Sequence, residues 1–312
     1  MYKNIMKFNN KPNVMQKKDC PICETRNNSI LVYKRKLPDN LINTNFAGRK
    51  NPDGYHYEML RCLNCSLLYA SEIYNEEHSN QLYVESTFDY FDELKGLSKS
   101  YSKTLIDGLK ILKNNKDNFL EIGCGNGFML KEAIKMGFKN VKGIEPSNAA
   151  ISFADNKIKE FIYNGIFSNE DQSSYEMYDV VFVAMIIEHV VDPNKFLNSI
   201  YRILKPGGIV ICISHDERHI LSKVFKDKHP IINDEHVAVF NKEAIKKIFN
   251  KHHFKEIKIC NLKNYYSINY WIKMLPIPSF IKKIFNNKIF TILKNITVGF
   301  KAGNLYLIAK KK

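Results

Sequence analysis

The sequence predicts an α/β fold: a seven-stranded, mostly parallel sheet with helices on both faces, carrying a small metal-binding module at its N-terminal end. Three observations predict it. From Asn118 onward, apolar strand-like runs alternate with amphipathic segments, the rhythm of βαβ units around a buried sheet. A glycine cluster, Gly123-Cys124-Gly125-Asn126-Gly127, follows the first of these runs directly. Two C-x-x-C pairs stand ahead of that rhythm, in a stretch punctuated by Pro, Asn and Gly.

A chain of 312 residues is long for one compact domain, so one large domain with a smaller module is the natural division. The expected boundaries are 1–70 for the cysteine module, 71–114 for a helical connector and 115–312 for the main domain. Hydrophobic residues at 45% and charged residues at 25% exclude wholesale disorder. The net charge of +15 favours anionic partners: nucleic acid, nucleotide-linked molecules or anionic membrane surfaces. Lysines scattered through an Asn/Lys/Ile-rich sequence give the same sum without any binding face. The N-terminal stretch MYKNIMKFNNKPN has no apolar core of a signal peptide, and no apolar run is long enough to span a bilayer, so a cytoplasmic location is expected. Seven cysteines are an odd number, and without an export signal the paired ones read as metal ligands.

In chain order, ILVYKR and YHYEMLRC read as short strands of the module, and KSYSKTLIDGLKILKN as a helix of the connector. Then come the strand NFLEIG, the helix MLKEAIKMG, the strand VKGIE, a helix over about 147–156 and the strand IKEFIYN. YDVVFVAM and GGIVICIS are buried strands, separated by a helix whose first turn holds Pro193. NKEAIKKIFNKHH is a helix, and KEIKICNLK and NLYLIAKKK are the last two strands. Between them, about 264–303 forms an insertion rich in aromatic, Ile and Lys residues, expected to be a helical lid and alternatively a basic surface for peripheral membrane contact.

Glycines at 123, 125 and 127 permit a tight turn and let backbone N–H groups approach a ligand closely. Glu121 ends the strand before them, and Glu145 ends the next strand, where a carboxylate can accept ribose hydroxyls. These residues resemble class I S-adenosylmethionine-dependent methyltransferases, whose first motif reads E/D-x-G-x-G-x-G and whose second strand ends in an acid. Here they are Glu121-Ile122-Gly123-Cys124-Gly125-Asn126-Gly127, then Gly143-Ile144-Glu145-Pro146-Ser147. The likeness continues through Tyr178-Asp179-Val180-Val181, Ile187-Glu188-His189-Val190, Asp192-Pro193 and Leu204-Lys205-Pro206-Gly207-Gly208. A nicotinamide-dinucleotide fold fits less well, because Phe128 stands where G-x-G-x-x-G needs its third glycine. The resemblance implies a Rossmann-like core binding S-adenosylmethionine, with its methionine portion near Gly123, Gly125, Asn126, Ala184 and Met185. It places the adenine against Gly165-Ile166-Phe167, where this chain lacks the acid the family often has, and it puts Cys124, Gly127 and Pro146 beside the cofactor by position.

Cys20-Pro21-Ile22-Cys23 and Cys62-Leu63-Asn64-Cys65 form two knuckles able to place four thiolates on one tetrahedral ion. The spacing suits Zn2+. Four sulfur ligands close the coordination shell, which makes the metal structural. The knuckles, QLYVESTFDYF, DEHVAVFNKEAIKKIFNKHHF and AGNLYLIAKKK are similar to a subgroup of these methyltransferases found with sugar and surface-polysaccharide biosynthesis. That resemblance implies a nucleotide-linked sugar or glycan precursor as acceptor.

Methyl transfer needs positioning and, for a hydroxyl or carbon acid, a base; histidine suits that role near neutral pH. His189 follows the fourth core strand at the sheet's carboxyl edge, where ligands bind in such folds, and is the first choice near the methyl group. His215, Asp216 and His219 follow the fifth, and Asp234-Glu235-His236 precedes a helix; of this second set His236 and His215 are the preferred bases. Tyr83, Tyr90 and Phe91 are candidates to cap the cofactor or stack on a sugar. Some quinone-precursor O-methyltransferases of the superfamily bind a divalent cation through E-x-x-E-H, and Met185 replaces the first Glu here. Two other readings are an RNA methyltransferase, which the absence of a basic-aromatic cluster in the module disfavours, and a scaffold that has lost its chemistry, which the intact glycine motif and Glu145 disfavour.

Overall fold

The computed structural model describes residues 15–37, 47–48, 53–88, 93–113, 115–167, 177–275 and 296–312. Tyr90, Phe91 and most of the expected lid, 276–295, lie outside the described residues.

The N-terminal elements are β1 (Met15–Lys17), β2 (Ser29–Tyr33), β3 (Ala47–Gly48), β4 (Met59–Cys62), β5 (Leu68–Ala70), β6 (Glu72–Tyr74), α1 (Glu76–Val84), β7 (Thr87–Phe88) and α2 (Leu94–Leu109). The core continues with β8 (Asn118–Ile122), α3 (Phe128–Lys135), β9 (Asn140–Glu145), α4 (Asn148–Ser152), α5 (Asn156–Lys159), β10 (Ile162–Asn164), β11 (Tyr178–Ala184) and α6 (Pro193–Ile203). It ends with β12 (Leu204–His215), α7 (Ile220–Phe225), β13 (Ala238–Val239), α8 (Lys242–Lys251), β14 (Lys255–Asn261), β15 (Asn264–Ser267), α9 (Ile268–Met274), β16 (Thr297–Phe300) and β17 (Asn304–Lys310).

The central sheet has seven strands in the order β10-β9-β8-β11-β12-β17-β14. Only β17 runs against the others, pairing antiparallel with both β12 and β14. The order reverses between β8 and β11, and that switch point opens a crevice beyond the strands' carboxyl ends. One face is covered by α6 and α8, whose Leu197, Ile200, Ile245 and Ile248 are fully buried. The other is covered by α2 and α3 through Leu97, Leu105, Met129 and Leu130. Asp192 and Asn241 start α6 and α8 by accepting backbone N–H groups of the first turn, with Pro193 entering α6 where its missing N–H costs nothing.

The structure differs from the sequence expectations in five places. Of the expected strand IKEFIYN, Ile158 and Lys159 belong to α5, and only Ile162–Asn164 forms a strand, β10. The helix expected over about 147–156 is two short helices, α4 and α5. Strand β12 begins at Leu204, which pairs with Tyr178, and carries Lys205 to Gly208 as a bulge where a turn was expected. The 264–303 insertion is not purely helical: its ends, β15 and β16, pair as an antiparallel ribbon flanking α9. Helix α2 is more than a connector, since its Leu97, Tyr101 and Leu105 belong to the core under the sheet.

The cysteine module is continuous with the core. Its sheet has the order β13-β5-β4-β2, in which β13 is supplied from far along the chain. Cys20, Cys62 and Cys65 pack in the same cluster as α6 and α8. Arg61 of β4 makes a two-pronged ion pair with Glu217, just after β12.

Where α2 meets the ribbon there is no room for a side chain: a Cβ on Gly96 would stand 2.0 Å from the Tyr265 carbonyl oxygen. Gly96→Ala is expected to cost about 1–3 kcal/mol through overpacking. A lowered urea midpoint checks this; an unchanged one would show that the ribbon moves aside freely.

Candidate functional site

The crevice at the switch point opens into a cavity of about 500 Å³. Its first wall is the turn from β8 into α3, where Gly123, Gly125 and Gly127 adopt φ of +72°, +56° and +73°, a region that favours glycine. Glu145 closes this wall. Its carboxylate accepts the Gly125 N–H at 2.8 Å through Oε2 and the Ser147 N–H at 2.9 Å through Oε1. Those bonds fix its orientation, and a carboxylate so held retains lone pairs for ribose hydroxyls. Burial raises its pKa, and the same two backbone donors hold it back. Glu121 is fully buried on the cavity wall, and its Oε2 has no hydrogen-bond partner, so a donor from a bound cofactor would complete it.

Of the other expected cofactor residues, Gly123, Cys124, Gly125, Pro146, Ile166, Phe167, Ala184 and Met185 all reach the cavity. Phe167 stacks edge-on against Phe196 with 5.7 Å between ring centres. Met185 sits in the left-handed region at φ 56°, a strained placement just where β11 delivers the chain to the site. Asn126 and Gly127 do not line the cavity. The turn carries Gly127 away from it, close enough to α5 that a Cβ would lie 2.6 Å from Ile158. The Cys124 thiol points to the sheet, 2.5 Å from where a Cβ of Gly143 would be, so it packs as a small apolar group.

The three candidate histidines are brought together on the wall of the same cavity. The His236 ring centre lies 4.6 Å from that of His189 and 5.2 Å from that of His215. His236 Nδ1 donates to the Ile231 carbonyl at 2.7 Å, which leaves Nε2 as its basic nitrogen. His215 Nδ1 donates to Asn304 Oδ1 at 2.9 Å, and Asn304 donates on to Asn264 at 3.1 Å. His189 Nδ1 lies 2.9 Å from the Tyr83 hydroxyl, 3.2 Å from the Glu235 carbonyl and 4.0 Å from the Glu235 carboxylate. Burial keeps the Tyr83 phenol neutral by raising its pKa far above the usual range. Asp216 and His219 serve local structure: Asp216 accepts the Arg218 N–H, and His219 caps α7.

Sequence reasoning missed Asn264 and Asn304, Lys228 and His229, and the aromatic group Tyr266, Tyr270 and Trp271, all on the cavity wall. Asn304 had a signal, a polar residue opening an otherwise apolar strand. Burial pushes His229 down to about 4, so it stays neutral beside Lys228.

The knuckles match each other. Glu24 and Ser66 follow their second cysteines in left-handed conformations, donating N–H to the Cys20 and Cys62 carbonyls at 2.7 and 2.8 Å. The four sulfurs lie within 4.8 Å of one another. Tetrahedral ligation at about 2.3 Å separates sulfurs by roughly 3.8 Å, so the set fits a metal ion. A hydrogen bond from Cys65 pulls the Cys20 thiol down to about 6. Among the described residues no other group of His, Cys, Asp or Glu has metal-binding geometry, and no helix is long and apolar enough to cross a membrane.

The family described as "Methyltransferase domain" matches residues 97–259, more than half of the chain. Curated relatives include the ubiquinone biosynthesis O-methyltransferase of Maricaulis maris, 33% identical over 98 residues, covering 30% of this chain and 38% of that protein. The enzyme of the same description from Paraburkholderia phymatum is 32% identical over 127 residues, covering 38% of this chain and 51% of that protein. The chain therefore matches between about two fifths and one half of these relatives' length. Among solved structures, a SAM dependent methyltransferase from Archaeoglobus fulgidus is similar with a TM-score of 0.47 and 19% identity, covering 69% of this chain and 94% of that one. The YcgJ protein of Bacillus subtilis gives a TM-score of 0.47 at 16% identity, covering 67% and 98%.

Burial and the neighbouring Glu145 charge raise the Glu121 pKa well above the usual carboxylate range. The folded protein then holds this proton more tightly than the unfolded chain does, so Glu121 costs stability as pH rises above about 4.3. Glu121→Gln is expected to melt at a higher temperature than the native protein near pH 8, the difference vanishing near about pH 4. Calorimetric melting at both pH values checks this; equal melting temperatures near pH 8 would refute the buried-charge assignment.

Proposed function

We propose that this chain, which belongs to the methyltransferase-domain family, transfers the methyl group of S-adenosylmethionine to a small-molecule acceptor. One observation carries the reading: a single cavity joins the glycine turn and Glu145 to the three-histidine wall. The bound cofactor supplies a methyl group already activated on a sulfonium. Glu145 is assigned to the ribose hydroxyls, Glu121 and Gly123 to the methionine portion, and Ile166 with Phe167 to the adenine. His236, with its Nδ1 hydrogen committed to Ile231, is assigned as the base that removes the acceptor's proton through Nε2. His189, held by Tyr83 and Glu235, and His215, held by Asn304, are assigned to orienting the acceptor beside it.

For the acceptor, a nucleotide-linked sugar is the first reading. The Asn264 and Asn304 side chains supply amides suited to sugar hydroxyls, and Lys228 offers a cation for a phosphate. The second reading is O-methylation of a phenolic ring, favoured by the Tyr266, Tyr270 and Trp271 wall and by the ubiquinone-biosynthesis relatives. Salt-sensitive retention on bulk RNA would instead favour a nucleic-acid acceptor. A cytoplasmic location and the division at 70 and 114 belong to the same proposal.

The cysteine cluster is assigned one structural Zn2+. Metal analysis of the full chain should find one zinc per chain, and Cys62→Ser should lose it together with folding stability. A full-length, stable protein free of zinc would remove this assignment.

Calorimetry should find micromolar binding of S-adenosylmethionine, weakened about tenfold to a hundredfold by Glu145→Ala, equivalent to about 1.4–2.8 kcal/mol. With a nucleotide sugar or a phenol that accepts the methyl group, His236→Asn should lower kcat by about 10²–10⁴. No binding by the native protein would remove the proposed activity.

A further inference from the structure

Glu188 is a charge-bearing residue that the proposed reaction leaves unused, yet it touches the surroundings of all three histidines. It precedes His189 in the chain. Its Oε1 accepts the backbone N–H of His215 at 2.8 Å. Its own carbonyl accepts the N–H groups of Val237 and Ala238, which follow His236, at 2.9 and 3.2 Å. The side chain is fully buried, and its Oε2 has no hydrogen-bond partner. A carboxylate sealed from water with one oxygen unsatisfied is costly to keep for packing alone, since an amide or an apolar side chain would fill the same space.

We propose that Glu188 is a positioning residue for the histidine wall, fixing His215 through Oε1 and stabilising the positive charge that His236 acquires on taking the acceptor's proton. The inference rests on the proposed role of His236 as base. The proton leaves the acceptor atom for His236 Nε2 as that atom's electron pair forms the new bond to the methyl carbon. The carbon–sulfur pair stays on sulfur, and the imidazolium formed is the charge that Glu188 stabilises in this proposal. The other ionisable groups near His236 are His189 and His215 on the same wall, Tyr83 from α1, and Asp234 and Glu235 from its own loop. His229 is held neutral by burial. Burial raises the Glu188 pKa, and the His236 charge is the largest influence opposing that rise.

The test is a proton–carbon NMR titration of histidine rings in the full chain without cofactor or acceptor, with His236→Asn assigning the His236 signal. Glu188→Gln keeps an oxygen for the His215 N–H and removes only the charge. The His236 midpoint should fall in this variant by about one pH unit, a tenfold loss of proton affinity, while that of His252 stays in place. An unmoved His236 midpoint in the folded variant would overturn the proposal. Should Glu188→Gln fail to fold, the reciprocal measurement decides. The Glu188 carboxyl signal should titrate at higher pH in His236→Asn than in the native protein, and an unmoved carboxyl overturns the proposal. Neither titration uses S-adenosylmethionine, so failure of cofactor binding and failure of this inference are separate results.

Discussion

The hydrogen bond from the Gly125 amide to the Glu145 carboxylate ties the first two βα units together at the edge where everything else converges. Strand β8 must turn sharply to enter α3, and three left-handed glycines permit the turn only if its amides find acceptors. Glu145 supplies one acceptor from the end of β9 and uses its other oxygen on Ser147, which in turn caps α4. One carboxylate thus orients the glycine turn, the start of α4 and the cavity wall between them. Burying it is unfavourable in itself, and the two backbone donors oppose that cost.

The carboxyl edge of the sheet concentrates buried acids: Glu121, Glu145 and Glu188 come from the ends of three strands or the turns just after them. Burying each of them opposes its charge, and burial is the first cause that raises all three pKa values. Glu121 Oε2 and Glu188 Oε2 are both unsatisfied, one below the glycine turn and one behind the histidines. Sites that bind or transform ligands are where such unsatisfied groups are expected, because the missing partner arrives with the ligand or with a transferred proton.

The βαβ rhythm was legible because buried parallel strands are continuous apolar runs, as YDVVFVA and NFLEI are. The glycine turn and Glu145 were legible for the same local reason: the chemistry lies within a short span of chain. What escaped is what forms only through distance. Asn126 and Gly127 belong to the motif, yet the turn's direction, settled by α5 packing on Gly127, takes them off the wall. His189, His215 and His236 were each identified from chain position, but their assembly depends on β13 joining the module's sheet. Asn264 and the aromatic wall come from the ribbon, whose pairing of β15 with β16 spans a long intervening segment that no local periodicity reveals.

That same pairing of β13 with β5 gives the cysteine module a function in the site's architecture. β13 begins two residues after His236, and its partner β5 stands just beyond the second knuckle. The module also grips the loop that carries His189: Lys18 donates to the Val191 carbonyl at 2.8 Å, and Asn194 donates to the Pro21 carbonyl at 2.8 Å. Burial lowers the Lys18 pKa, so that contact is made by a half-buried amine with little solvent to compete for it. Arg61 fixes the chain just past His215 through Glu217. Each histidine-bearing segment is therefore anchored to the knuckle module by a different bond. A metal ion held by the four cysteines would act on the histidine wall through its rigidity, at a distance and without any open coordination position of its own.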